Sequence, residues 1–105
     1  MDAMDPAQMR ANARQASELM RALANENRLM ILCQLVPGER SVGDLAEALE
    51  LRQATVSQQL ALLRKDGLVA PRRDGQTVYY ALAGDGASRV LEVLYELFCA
   101  PGQAS

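Results

Sequence analysis

Two cysteines and one polar helix face hold most of the chemistry this chain can offer. Cys33 and Cys99 are its only thiols, and it has no histidine. Without histidine, the commonest general base and the commonest zinc ligand are both missing. Two thiols also fall short of the four ligands of a structural zinc site. In a chain without a secretion signal two such thiols are more often free, reactive or metal-binding than a permanent staple. Each cysteine also has an unreactive reading. Cys33 shares a helical face with Leu29, Leu32 and Val36, and free cysteine is commonly a small buried hydrophobe. Cys99 falls at the end of an expected helix, where the dipole disfavours a thiolate.

The second set of residues lies between positions 53 and 65. With the apolar stripe Val56, Leu60 and Leu63 turned inward, the outward residues are Gln53, Thr55, Ser57, Gln58 and Ala61, with Arg64 and Lys65 at the far end. Glutamine can pair bidentately with adenine, and serine or threonine can donate or accept at base edges. Amides at the helix N-terminus suit phosphate. Arg72 and Arg73 stand just before an expected hairpin tip, within reach of the DNA backbone or a minor groove. Such residues also solvate ordinary helices, so charge is needed to weigh the two readings. The chain is net −2, with five cations against eight acids in residues 1–50. Residues 51–76 reverse this, with Arg52, Arg64, Lys65, Arg72 and Arg73 against Asp66 and Asp74. A basic stripe in an acidic chain, coinciding with the polar helix face, favours double-stranded DNA as partner.

These side chains need elements to hold them. Asp5-Pro6 starts a helix, and Met9, Ala13, Ala16, Met20 and Leu23 continue it at helical spacing. Asn25 caps a second helix, ended by Pro37-Gly38. Ser41 and Asp44 resemble a capping box for a short third helix carrying Val42, Leu45, Ala46 and Leu49 inward. Leu51-Arg52 is a tight break before the fourth helix, which Gly67 ends. Residues 68–73 and 76–82 are β-prone, separated by Asp74-Gly75, a strong hairpin signal. Gly84 and Gly86 read as loop. Val90, Leu91, Leu94, Leu97 and Phe98 make the last helix apolar on most of its circumference, as helices that pack on a partner often are. The order is four helices, a hairpin and a helix. The expected fold is mainly α, a winged helix-turn-helix with a β-hairpin wing.

With 105 residues the chain makes one domain, 1–105, with 1–5 and 101–105 as flexible ends. Its four aromatic residues, Tyr79, Tyr80, Tyr95 and Phe98, leave a modest core, so a homodimer is expected. There is no apolar run long enough for a membrane span. The start Met1-Asp2-Ala3-Met4-Asp5 is acidic where a signal peptide is basic. A cytoplasmic protein with reduced thiols is expected. No base accompanies either cysteine, and there is no glycine-rich phosphate loop or paired-carboxylate site, so an enzyme is not expected.

The run Leu51-Arg52-Gln53-Ala54-Thr55-Val56-Ser57-Gln58-Gln59-Leu60 resembles the recognition helix of the ArsR family. Leu63-Arg64-Lys65-Asp66-Gly67-Leu68-Val69 and Arg73-Asp74-Gly75-Gln76-Thr77-Val78-Tyr79-Tyr80 resemble its wing, and Ala22 to Leu29 its first helix junction. The likeness spans about residues 16–99. It implies a homodimeric winged-helix repressor on a palindromic operator, joined through its first and last helices and released by an inducer. It adds Arg52, Gln59 and Gln76 to the DNA-facing set. Gln59 stands where many members carry histidine, which puts sequence preference in doubt.

Metal sensing is the usual family property, and these residues disfavour it. Ser41-Val42-Gly43-Asp44-Leu45-Ala46 lacks the paired cysteines of the arsenic and cadmium type, and the zinc and nickel type needs histidine. Arg28 to Leu35 and Val93 to Cys99 instead resemble the two cysteine segments of the persulfide-sensing branch. That likeness implies Cys33 and Cys99 as sensors, reduced on DNA. A low-molecular-weight persulfide would convert them to an intraprotomer tetrasulfide or shorter bridge, with no cofactor or metal. If the helices hold the cysteines beyond the reach of a disulfide, about 7 Å between Cα atoms, longer sulfur chains would be favoured. An arsenite or soft-metal repressor, a general disulfide switch, and a winged helix that binds protein are the alternatives.

Overall fold

The computed structural model describes residues 5–99. The expected flexible ends therefore lie outside the described residues, apart from Asp5. The chain order is α1 (Pro6–Leu23), α2 (Glu26–Gln34), β1 (Arg40–Ser41), α3 (Val42–Leu49), α4 (Gln53–Lys65), β2 (Val69–Asp74), β3 (Thr77–Leu82) and α5 (Asp85–Phe98).

The helix starts follow their caps. Asp5 Oδ1 accepts from the Ala7 and Gln8 amides at 2.9 and 3.0 Å. Asn25 Oδ1 accepts from Arg28 N–H at 3.1 Å, and Ser41 Oγ from Asp44 N–H at 3.1 Å. Each such cap contributes about 1 kcal/mol. α4 ends in a Schellman pair: Gly67 N–H to Arg64 O at 3.0 Å and Leu68 N–H to Leu63 O at 2.9 Å. Gly67 supplies the required positive φ of 77°. At the end of α3 the corresponding position is Glu50, at φ 55°, the one described non-glycine residue with positive φ.

A single core joins α2, α3, α4, the wing base and α5. Val56, Leu60 and Leu63 of α4 are fully buried against Ile31, Leu32, Leu35, Leu45, Val69 and Leu91. α2 buries a wider arc than its spacing suggested, because Ile31 and Leu35 are enclosed while Leu29 and Val36 are half-buried. α1 differs from the other helices. Of its apolar stripe only Leu23 is buried, and Met9 and Met20 are exposed.

The wing departs from expectation in two ways. It is a three-stranded sheet, order β1-β3-β2, because Arg40 and Ser41 pair with Tyr80 and Tyr79. Asp74 pairs with Thr77, so the loop is Gly75-Gln76 and not Asp74-Gly75. Gly75, at φ 63°, takes the first loop position, where two-residue hairpins need positive φ. Gly86 also lies inside α5 and not in a loop, with Gly84 as the N-cap.

Candidate DNA-binding face and thiol site

α3 and α4 are joined by Glu50, Leu51 and Arg52 alone, which sets α4 across the end of α3 as a helix-turn-helix. With its apolar stripe in the core, α4 presents Gln53, Ser57, Gln58, Arg64 and Lys65 to solvent. Arg52, Arg73 and Gln76 are exposed as well, and Thr55 is half-buried. Arg52 makes no side-chain cap bond, so the α4 amides keep their hydrogen-bonding capacity for an incoming acceptor. Arg64 and Arg73 both line a cleft of about 320 Å³, together with Pro71, Val78 and Tyr80. Two guanidinium groups so placed can straddle one backbone phosphate.

Two residues of the expected face are placed differently from the rest. Gln59 is half-buried, with Oε1 enclosed and without a hydrogen-bond partner among the described residues. Arg72 is exposed but engaged. Its Nε donates to Glu39 Oε2 at 3.0 Å and its Nη2 to Glu39 Oε1. Asp74 lies 4.0 Å away, and the guanidinium carbon sits 5.0 Å from the centroid of the Tyr79 ring. The hydrogen bond from Arg72 holds the Glu39 carboxyl below its ordinary range, and Glu39 raises Arg72 in turn. Sequence carried no local signal for this pair, whose members stand 33 residues apart.

Cys33 and Cys99 are brought together. Cys33 is buried on α2, and Cys99 is exposed at the C-terminal cap of α5. Their side chains line the same two cavities and lie near enough to influence one another's titration. Desolvation, then the neighbouring Cys99 side chain and its charge, push the Cys33 thiol from 9.0 up to about 11. Cys33 therefore keeps its proton at neutral pH, and the exposed partner is the accessible nucleophile. The pair forms part of a cavity of about 660 Å³ whose other walls include Met30, Gln34, Glu39, Arg40 and Tyr95. On the other side an apolar depression of about 210 Å³ lies against Leu29, Leu94 and Phe98. No group of three or more metal-ligating side chains occurs among the described residues.

A helix-turn-helix followed by a sheet-based wing, with exposed amides and guanidinium groups on its second helix, defines a winged-helix DNA-binding protein. Residues 25–70 match the bacterial regulatory protein arsR family. The transcriptional activator HlyU of Vibrio cholerae is 45% identical over 95% of this chain and 93% of its own. The biofilm growth-associated repressor of Agrobacterium fabrum is 46% identical over 89% of this chain and 80% of its own. The crystal structure of HlyU from Vibrio vulnificus superposes with a TM-score of 0.88 at 45% identity, covering 91% of this chain and 100% of that one. The chain belongs to the ArsR family. It is a transcriptional regulator and not an enzyme.

Proposed function

We propose that the chain is a homodimeric repressor that holds a palindromic operator while Cys33 and Cys99 are reduced, and releases it when a low-molecular-weight persulfide links them. One observation carries this reading: Cys33 of α2 and Cys99 at the end of α5 line the same two cavities, side by side across the α2–α5 contact. A covalent bridge there acts on the helix beneath the helix-turn-helix and on the helix that carries exposed Val93, Leu97 and Phe98. Those residues, with Met9 and Met20 of α1, supply the apolar surface for a partner protomer. A Mycobacterium bovis relative, 31% identical, is a homodimer. The DNA-facing set is Arg52, Gln53, Thr55, Ser57, Gln58, Arg64, Lys65, Arg73 and Gln76, with Gln59 and Arg72 acting from beside it. A DNA-bound regulator works in the cytoplasm, and no described helix is long and apolar enough to cross a membrane.

The chemistry balances as follows. The Cys99 thiolate attacks the outer sulfur of R–S–SH, the S–S bond breaks, and RS⁻ leaves. A second transfer gives Cys33 its own persulfide. Its terminal sulfur then attacks Cys99 Sγ and expels hydrosulfide, closing a trisulfide. Each further transferred sulfur lengthens the bridge by one. The cysteine sulfurs are oxidised and the sulfane sulfur is reduced to sulfide.

The same placement of the thiols also suits one rival, a plain disulfide switch. Intact mass spectrometry paired with operator binding separates the two. Glutathione persulfide should release DNA with at least one sulfur gained and two hydrogens lost. Release by peroxide or glutathione disulfide at the same rate, with only two hydrogens lost, establishes the rival. Arsenite titration followed by thiolate absorption tests the soft-metal alternative.

A further inference from the structure

A sensor must select its sulfur donor by features around the cysteines, and the larger cavity carries one suited to that task. Arg40, half-buried on β1, forms part of the same wall as Cys33 and Cys99. Its guanidinium donates to the Gln34 side-chain oxygen, which also faces the cavity. That contact uses one of five donors and neutralises no charge. Among the described residues Arg40 forms no ion pair. The nearest carboxylate in sequence, Glu39, is on the same cavity wall but is held in the two-pronged pair with Arg72. The cavity therefore has one uncommitted cation at one place and a reactive dithiol at another. Its volume of about 660 Å³ falls within the range that holds ligands of a few hundred daltons.

We propose that this cavity binds the carrier of the sulfane sulfur, a small thiol persulfide bearing a carboxylate, with Arg40 gripping the carboxylate and the persulfide directed at Cys99. The proposal rests on the persulfide reading above and adds the substrate class to it. A planar guanidinium matches a carboxylate in two parallel hydrogen bonds, and Gln34 braces it in that plane. Inorganic polysulfide, peroxide and carboxylate-free thiols lack the anchor. Their sulfur or oxygen reaches Cys99 by collision alone, whereas the anchored carrier reacts from a bound complex.

The test uses the full-length protein and Arg40→Gln, with operator binding of the reduced forms and thermal unfolding confirming that the variant folds. S-methylglutathione, which cannot transfer sulfur, probes the anchor alone by nuclear magnetic resonance titration. It should bind the parent chain saturably, bind Arg40→Gln at least tenfold more weakly, and lose binding when its carboxylates are esterified. In stopped-flow sulfur transfer, the ratio of the glutathione persulfide rate to the inorganic polysulfide rate should fall at least tenfold in Arg40→Gln. Arg40→Lys, which keeps the charge but not the fork, should lie between. Equal binding of the analogue by both proteins, or of the esterified analogue, overturns the anchor, as does an unchanged rate ratio. Anchored binding with no sulfur transfer to either cysteine leaves the site standing and defeats the persulfide reading.

Discussion

Arg72 of the wing and Glu39 of the cavity lined by the two thiols form a two-pronged ion pair, with Nε and Oε2 3.0 Å apart. Glu39 thus faces the dithiol on one side and fixes a wing cation on the other. An exposed pair of this kind adds little to stability, so its effect should appear in DNA binding. Glu39→Gln leaves Arg72 without its carboxylate partner. Reduced protein should then bind operator more tightly, and the plot of log affinity against log salt should steepen by about one phosphate contact. An unchanged slope means that Arg72 does not reach DNA even when released.

The thiols should differ sharply in reactivity. At pH 7.5 iodoacetamide should label Cys99 well before Cys33, read by peptide mass spectrometry. In Cys99→Ser the Cys33 thiol loses two of the causes that raise it but keeps the largest, burial. Its titration should move down from about 11 while staying above 9.0. The sign for stability follows. The folded chain holds the Cys33 proton more tightly than the unfolded chain, so this contribution is complete below pH 9.0 and is lost as pH rises through about 11. Melting temperature should fall more steeply over that window in the parent than in Cys33→Ala.

Gly67→Ala isolates the cost of backbone conformation where α4 turns into the wing. Nothing lies within 4 Å of an added Cβ, so only the φ of 77° is strained. Urea unfolding should show a loss of about 1–2 kcal/mol. Gly67→Asn should lose less, since asparagine tolerates this region. A neutral alanine variant would mean that the turn relaxes freely.

The exposed apolar residues predict the oligomer. Leu97 is 61% exposed in the protomer, too much for a fold-critical side chain. Leu97→Glu should therefore leave the helical circular dichroism intact while shifting sedimentation from dimer to monomer. Met20→Glu on α1 should act in the same direction. A dimer that survives both places the interface elsewhere.

On the recognition helix, Gln58→Ala should cost about 1–3 kcal/mol at one operator base pair and relax preference there. Arg64→Ala should weaken all sequences alike and flatten the salt dependence. Competition binding with single-base operator variants distinguishes the two. If both variants act uniformly, α4 reads no bases through Gln58.

Much of this was legible locally. The caps at Asp5, Asn25 and Ser41, the stop at Gly67, and the stripe Val56, Leu60 and Leu63 are set by residues three to five positions apart. Short-range sterics and hydrogen bonding decide them, so they read directly from the chain. The polar face of α4 follows from the same stripe, because what the core does not take must point outward. The one-residue error at the wing tip has a similar cause. Asp-Gly marks a turn, but strand pairing decides which two residues occupy it, and that register depends on a distant strand.

The sequence by itself determined the helix-turn-helix, the sheet-forming wing and the basic stripe, since each rests on periodicity or composition within one segment. Only the tertiary structure decided the rest. It brought together Cys33 and Cys99, 66 positions apart in the chain, paired Arg72 with Glu39, recruited Arg40 and Ser41 as a third strand, and enclosed the Gln59 oxygen. These relations depend on how α2, β1, the wing and α5 pack around one shared core. Burial of Ile31, Leu35, Leu60 and Leu91 fixes those distances, and no local pattern encodes them.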